Sequence, residues 1–385
     1  MAASPLLELL QARRVLVVAG AGGVGKTTIA AALALTAAAH GKRVLCLTID
    51  PAKRLADRLG IDAETGSEQR VDPAPFAREG LQIRGELSVM MLDTKRTFDE
   101  LVLKHASDPA VAERILQNEF YEYVSTQLAG TQAYMAMEKV LSVLSDERYD
   151  AVVLDTPPTS DALDFLDAPE RLIETLDSPA LRWLSEAFEK SGRLSLNVVA
   201  RGIALVLKGI ARLTGRGFLE RLAEFVAEVN ELFGGFKERA GRVAAAFRQP
   251  EFAYLLVATP HPSALDEASF FAERLERLGM RADALIVNRM LPLGAAEPEL
   301  FELRAALAAR GVTEASDLAE RVLAAYRAER AAAELERRTL ELSTADPRPI
   351  GPRRLPLRVE VPSFAESVHD AAALVAVSRR LVVGA

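Results

Sequence analysis

Seven short runs of apolar residues recur along the chain, separated by longer stretches with helical patterns. Runs of this length, rich in branched side chains, are typical of buried strands. The alanine- and leucine-rich segment Thr27–Ala39 lies between the first two runs and predicts a helix. We therefore predict an α/β fold: a doubly wound, mainly parallel sheet with helices on its faces. The predicted strands are Val15–Ala19, Arg43–Ile49, Leu87–Leu92, Ala151–Leu154, Phe252–Val257, Ala284–Val287 and Leu357–Val361.

Two stretches, 95–145 and 168–250, do not fit the alternation of strand and helix, and both are mainly helical by pattern. We expect them to be insertions within a single domain that spans residues 1–385. In the second stretch, apolar residues recur at helical spacing between Ile203 and Phe236, and glycines divide the stretch into several short helices. Either core packing over the sheet or a groove for an apolar client or partner subunit would explain this apolar pattern.

Two further predictions concern the end of the chain. The segment Asp346–Arg354 is broken by prolines and predicts a linker. The segment Ser367–Val382 predicts a final helix that packs back on the sheet.

Charge and composition narrow the range of functions. The chain has 54 acidic and 47 basic residues, a net charge of −7, which disfavours binding to nucleic acid. The single cysteine, Cys46, lies in an apolar run and predicts a buried core residue. No zinc-ligand spacing is present. Since neither a secretory signal nor a membrane-spanning run is visible, we expect a cytoplasmic protein.

One segment between the first strand and the first helix fits the pattern G-x-x-x-x-G-K-[ST] of a P-loop. Glycines let the main-chain N–H groups of such a loop converge on a β-phosphate, and the following helix directs its positive end at the same group. We expect Lys26 to reach the β- and γ-phosphates, Thr27 to bind Mg²⁺ and Thr28 to contact the α-phosphate. The predicted ATP-binding residues of the loop are Gly20, Ala21, Gly22, Gly23, Val24, Gly25, Lys26, Thr27 and Thr28.

The same glycines also satisfy G-x-G-x-x-G, the pattern of a dinucleotide-binding fold, in which Asp50 would be the ribose acid. A dinucleotide site has no use for a lysine and a hydroxyl directly after the last glycine. It also needs no second carboxylate at a strand end, such as Asp155. The P-loop is therefore the preferred interpretation.

Two aspartates follow predicted strands at the same edge of the sheet as the loop. Asp155 ends an apolar run and precedes Thr156-Pro-Pro-Thr159, so we expect it to hold a Mg²⁺-bound water. A turn or helix-capping aspartate is the structural alternative. Asp50 leaves the second strand beside the phosphates, where it would orient the attacking water.

Together, the P-loop, Asp50-Pro51-Ala52 and Asp155-Thr-Pro-Pro-Thr resemble the arsenite-pump and tail-anchored-protein-targeting ATPase family, within the MinD-like dimeric ATPases. The resemblance continues in Leu92-Asp93, in Ala284–Arg289 and in Val368-His369-Asp370. It implies that Asp50 and Asp155 belong to two nucleotide switches, that Asn288 reads the adenine and that Pro362 lies beside the base. It also implies a dimer that closes around Mg²⁺-ATP and handles a membrane-protein client or drives an anion pump. We expect a homodimer, or a heterodimer with a related ATPase, with a membrane-protein client or membrane partner.

Three departures from that family change the expectations. Ala21 replaces the signature lysine that reaches the partner's nucleotide, so a cation would come from a non-identical subunit or from Lys53 or Arg54. A single cysteine builds neither an arsenite site nor a zinc clasp. The segment Gly130-Thr-Gln-Ala133 lacks a glutamate that related sequences often carry. We thus expect an ATPase, with a non-hydrolysing ATP sensor or partner subunit as the alternative.

Overall fold

A computed structural model describes the sheet, the loop after its first strand and helices that pack around them. It shows the predicted α/β fold. The described residues are 4–49, 55, 59, 66–106, 108–118, 121–122, 125, 131–157, 165, 167–171, 174, 238–294, 296–345, 357–364 and 370–382. The apolar pattern between Ile203 and Phe236, the linker Asp346–Arg354 and the site candidate Asp50 lie outside these residues.

Eight strands form one sheet with the order β3-β4-β2-β5-β1-β6-β7-β8. Six neighbouring pairs are parallel, and β3 pairs with β4 in the antiparallel direction. The strands are β1 Val15–Gly20, β2 Arg43–Thr48, β3 Glu68–Arg70, β4 Glu86–Met91, β5 Ala151–Asp155, β6 Phe252–Ala258, β7 Ala282–Met290 and β8 Leu357–Pro362.

The middle of the sheet consists of the most apolar segments of the chain. Every residue of β1, β5 and β6 is buried, so both faces of these three strands are covered. All seven predicted strands are confirmed. The short β3, with the polar sequence Glu-Gln-Arg, was not predicted, since only its pairing with β4 makes it a strand.

The helices connect successive strands and cover the sheet. Among the described residues, no helix is long and apolar enough to span a bilayer. The helices are α1 Pro5–Ala12, α2 Lys26–Ala39, α3 Ala74–Arg78, α4 Thr94–His105, α5 Pro109–Leu116, α6 Thr131–Ser145, α7 Pro262–Arg277, α8 Leu300–Ala309, α9 Ala315–Ala345 and α10 Ala371–Val382. A further helical segment, 238–246, follows the undescribed residues 175–237.

Helix α2 is almost completely buried between the sheet and a neighbouring helix. Thirteen of its residues are buried, while Thr27 is partly exposed. It packs on β1, β2 and β5 and, from the other side, on α10. There the Thr36 and Ser378 hydroxyl oxygens lie 2.6 Å apart. A helix that is apolar all round can be buried in this way, so the end of the P-loop is anchored in the core.

The C-terminal helix is confirmed, but it begins at Ala371 rather than at Ser367. The side chain of Asp370 accepts a hydrogen bond from the main-chain N–H of Ala373 at 2.8 Å, so Asp370 caps the helix. Residues 365–369 are not described.

The strand order brings the sequence candidates to one edge. From β1 the chain builds β2, β3 and β4 on one side, returns to place β5 beside β1, and then builds β6, β7 and β8 on the other side. In open α/β sheets, ligands bind where the direction of winding changes, outside the carboxyl ends of the strands. Here that position is the end of β1, where the P-loop begins.

Candidate functional site

The P-loop leaves the carboxyl end of β1 and turns directly into α2. Gly25 precedes the helix with φ +97°, a left-handed conformation that favours glycine. The first hydrogen bond of the helix runs from the Ile29 N–H to the Gly25 carbonyl, at 3.0 Å. Helix α2 therefore begins directly after the loop, an arrangement in which main-chain N–H groups of the loop and of the first helical turn can bind an anion.

The loop packs tightly against the neighbouring strand β6. A Cβ atom at Gly20 would lie 2.1 Å from the Val257 carbonyl oxygen, a distance that no side chain tolerates. Gly20 pairs directly with Val257 in the parallel ladder. The first glycine of the motif is therefore required by the close approach of two strands.

Lys26 is the cation at the centre of the loop. It is buried, and its ammonium group donates hydrogen bonds to the Gly20 and Ala21 carbonyls, both at 2.9 Å. These bonds hold the ammonium inside the curve of the loop. The partly exposed Thr27 and the buried Thr28 follow in the first helical turn.

Asp155 lies beside the loop at the end of β5. It is fully buried, and its Oδ2 accepts a hydrogen bond from the Thr48 hydroxyl at 3.1 Å. The ladder pairs it with Val18 of β1 on one side and Thr48 of β2 on the other. The next residue, Thr156, is fixed by its hydroxyl, which donates to the Val18 carbonyl at 2.8 Å. Strand pairing therefore fixes the main chain of Asp155, which lies in a strand rather than in a turn.

Cys46, two positions before Thr48 on the same face of β2, is fully buried, as predicted. Burial raises the pKa of its thiol well above the ordinary value, and the negative charge of Asp155 raises it further. The thiol is accordingly neutral at physiological pH.

Asn288, at the end of β7, contacts the P-loop directly. Its Nδ2 donates to the Val24 carbonyl at 2.8 Å, and its Oδ1 accepts from the Arg289 N–H at 3.0 Å. Pro362 ends the neighbouring strand β8, opposite Met290. The structure thus brings Asn288 and Pro362 to the edge that carries Gly20 and Asp155.

Asp50 lies outside the described residues, but the residue before it, Ile49, forms hydrogen bonds to two neighbouring elements. The Ile49 N–H donates to the Asp155 carbonyl at 3.2 Å. Gln132, in the first turn of α6, donates from Nε2 to the Ile49 carbonyl at 3.0 Å. The contacts of Thr48 and Gln132 were not predicted. For Gln132, the one sequence signal was its position in the segment Gly130–Ala133, which lacks a glutamate that related sequences often carry.

The chemistry of this edge suits a magnesium-bound triphosphate. Main-chain N–H groups and an ammonium are partners for phosphate oxygens. A hydroxyl and a carboxylate supply the hard oxygen ligands that Mg²⁺ prefers. Thr27 directly follows Lys26 in the chain, and Asp155 ends the strand that pairs with β1, so the donor set at this edge fits both ATP and its metal.

Two glycines of the loop provide a matched test of its geometry. A Cβ atom at Gly23, where φ is +79°, would meet nothing within 4 Å, whereas a Cβ atom at Gly25 would lie 2.4 Å from Asn288 Nδ2. We expect Gly23→Ala to show backbone strain alone, about 1–2 kcal/mol. Gly25→Ala adds displacement of the Asn288 amide and is expected to weaken nucleotide binding further.

Denaturant unfolding and ATP titration of both variants would measure this difference. Equal losses of stability and affinity in the two variants would show that the closeness of Asn288 to Gly25 does not affect nucleotide binding.

Comparison with known proteins places this chain in a family. The sequence profile of a family described as anion-transporting ATPases matches residues 13–324, well over half of the chain. The matched span contains the P-loop, Asp155 and Asn288. The chain belongs to the anion-transporting ATPase family. Pro362 lies beyond the matched span.

Individual relatives have low sequence identity to this family member, but they align with it over most of its length. It is 25% identical to an ATPase GET3C of Arabidopsis thaliana over 300 residues, which cover 76% of this chain and 71% of the relative. It is 24% identical to an ATPase GET3 of Malassezia globosa over 304 residues, covering 78% and 80%. It is 25% identical to a putative arsenical pump-driving ATPase 2 of Aquifex aeolicus over 281 residues, covering 72% and 81%.

Proposed function

We propose that this protein is a Mg²⁺-dependent ATPase that works as a nucleotide-driven switch. One observation carries the proposal: a P-loop with the Lys26 ammonium inside its curve lies at the carboxyl edge of the sheet, one strand away from the buried carboxylate of Asp155. Membership of the anion-transporting ATPase family supports the same conclusion.

Each residue of the site has a distinct task in this proposal. The N–H groups of the loop and the Lys26 ammonium bind and orient the β- and γ-phosphates. Thr27 and Asp155 would hold Mg²⁺, and the bound ion would neutralise charge on the phosphates. Asp50 orients the water that attacks the γ-phosphate, and Asn288 contacts the adenine.

The switch follows from the connections of these residues. Ile49, the residue before Asp50, is hydrogen-bonded to both Asp155 and Gln132. A movement of Asp50 on hydrolysis would therefore shift the end of β5 and the start of α6. We propose that the protein forms a dimer, as a homodimer or with a related ATPase, and that nucleotide state rearranges it. One relative is named as a putative arsenical pump-driving ATPase, and by analogy we propose a membrane-protein client or a membrane partner for this chain.

Ala21 favours a second candidate, a non-hydrolysing ATP sensor or the partner subunit of a heterodimer. The side chain at this position is a buried methyl group and carries no charge for a second nucleotide. A cation inserted at a phosphoryl-transfer site changes rates by about 10³–10⁵-fold. In this second case the cation that completes the site is supplied by a different chain.

Phosphate release by the purified chain with Mg²⁺ and ATP separates the two candidates. For the enzyme, Asp50→Asn is expected to lower phosphate release by about 10²–10⁴-fold, with ATP affinity nearly unchanged, because the water loses its orienting carboxylate. Asp72→Asn is the control, since Asp72 is an exposed residue that caps α3 by accepting from the Ala74 N–H.

If the protein is instead an ATP sensor, we expect tight ATP binding and no phosphate release above background, both in the two variants and in the unaltered chain. Failure of the unaltered chain to bind ATP would contradict both candidates.

A further inference from the structure

The segment that follows Asn288 has a strained main chain. Arg289 has φ +62°, the left-handed region that residues other than glycine rarely adopt. The register between β7 and β8 shifts at the same point, between Val287 and Met290. Strain of this kind persists only where the surrounding structure fixes the main chain, and it concentrates at functional sites.

Helix α9 supplies the contacts that fix this segment. The Leu291 N–H donates to Glu336 Oε2 at 2.7 Å, and the Leu291 carbonyl accepts from the Arg337 guanidinium at 3.1 Å. Two adjacent side chains of one helix therefore hold both polar main-chain groups of one residue. We call Glu336, Arg337 and Leu291 the Leu291 clamp.

The two residues between Asn288 and Leu291 also form hydrogen bonds through their main-chain groups. The Ser363 N–H donates to the Met290 carbonyl at 2.8 Å, and Asn288 Oδ1 accepts from the Arg289 N–H. The clamp is thus the last of a short series of bonds that begins at the P-loop, where Asn288 donates to Val24. The clamped main chain of Leu291 follows closely on the residue whose side chain contacts the loop.

The two members of the clamp have different strengths. Both bonds are charge-assisted, because each has one ionised partner, but the Glu336 bond, at 2.7 Å, is shorter than the Arg337 bond, at 3.1 Å. Arg337 also donates to the Ala333 carbonyl of its own helix at 3.2 Å, so its guanidinium bridges α9 and Leu291. Glu336 is therefore the stronger determinant of the position of Leu291.

We propose that Glu336, assisted by Arg337, is a positioning residue for the base side of the nucleotide site. By holding Leu291, the clamp maintains the left-handed turn at Arg289 and keeps the Asn288 amide directed at the loop and the base. This inference rests on the proposed function and extends it: helix α9 sets the selectivity of the site for adenine over other bases.

The test compares four substitutions on one helix, three at glutamates and a fourth at Arg337. Glu336→Met removes the acceptor at similar length, Glu336→Gln keeps an acceptor oxygen, and Glu334→Met removes an exposed carboxylate that pairs with Arg330. Dissociation constants for ATP and GTP are measured by calorimetry for each variant and for the unaltered protein, together with thermal unfolding.

We expect Glu336→Met to weaken ATP binding about tenfold and GTP binding much less, because a lost charge-assisted bond displaces Asn288. Glu336→Gln is expected to restore most of the ATP affinity, and Glu334→Met to leave both constants unchanged. Arg337→Met is expected to show the same change in ATP/GTP ratio, to a smaller extent, and it replaces Glu336→Met if that variant does not fold.

The outcomes separate this inference from the function on which it rests. An unchanged ATP/GTP ratio in the folded variants, an equal loss for both nucleotides or a loss that Glu336→Gln does not restore would overturn the role of Glu336 while ATP binding by the unaltered protein still stands. No ATP binding by the unaltered protein would instead refute the proposed function itself.

Discussion

Replacing Lys26 by methionine is expected to lower ATP turnover by at least about 10²–10³-fold, the usual cost of removing one charged or hydrogen-bonding group aimed at a reacting oxyanion. The ammonium lies inside the curve of the loop, bonded to the Gly20 and Ala21 carbonyls. Methionine fills a similar volume but supplies no charge and no donor. The triphosphate would therefore meet an apolar group where it requires a cation.

Lys42 provides a matched control for the Lys26 variant. Its ammonium also binds main-chain carbonyls, those of Leu10, Gln11 and Arg13, at 2.8, 2.9 and 3.2 Å. It lies just before β2, at the opposite edge of the sheet, and partial burial lowers its pKa. Lys42→Met is expected to reduce stability without changing turnover per folded molecule.

Phosphate release and fluorescent-nucleotide binding, measured on both variants beside an unfolding curve, give the comparison. If Lys26→Met retained the ATP affinity and turnover of the unaltered chain, the assignment of the loop to a triphosphate would be wrong.

Replacing Arg239 by methionine is expected to lower the free energy of unfolding by about 3–5 kcal/mol, because it leaves a buried carboxylate without its counter-charge. Glu138 of α6 is 2% exposed, and Arg239 binds both of its oxygens, at 2.6 and 2.7 Å. The Tyr134 hydroxyl donates to the same carboxylate. Burial raises the pKa of Tyr134 far above the ordinary value, and the charge of Glu138 raises it further.

A double substitution distinguishes the cost of an unpaired charge from a simple loss of packing. Glu138→Met with Arg239→Met removes both charges, so the double variant is expected to be more stable than Arg239→Met alone. Lys139→Met is the neighbouring control: Lys139 pairs with the half-exposed Glu100, and its loss is expected to cost under about 1 kcal/mol.

Urea unfolding of these variants, with a Glu138→Met single variant to complete the cycle, measures the coupling. Additive effects of the two substitutions would be incompatible with a buried ion pair. The pair also joins two parts of the described chain, because Arg239 lies in the helical segment 238–246 and Glu138 lies in α6.

The sequence predicts the strands and the P-loop well because both are local signals. A strand buried on both faces must be apolar throughout, so β1, β5 and β6 are visible as uninterrupted runs. The P-loop needs its glycines, lysine and hydroxyl at fixed spacing. In contrast, β3 is a strand only through its antiparallel partner, and its three polar residues give no pattern.

The polar contacts that shape the site could not be predicted in the same way. Glu336 and Leu291 are 45 residues apart, and Arg239 and Glu138 are 101 apart. Charged residues on a helix surface look alike in sequence, since the partner that each one finds depends on how the helices pack. The resemblance assigned Asn288 to the base, but its bond to Val24 emerges only from the placement of β7 beside β6.

The contacts of the loop with its two neighbours also affect the thermodynamics of binding. Gly20 is seated against Val257, and Val24 is tied to Asn288, so the backbone of the loop is already fixed when the protein has folded. A flexible loop would lose conformational freedom on each encounter with its ligand, and that loss would weaken the complex. Here the ordering takes place once, during folding, and a pre-organised receptor meets each new molecule of nucleotide.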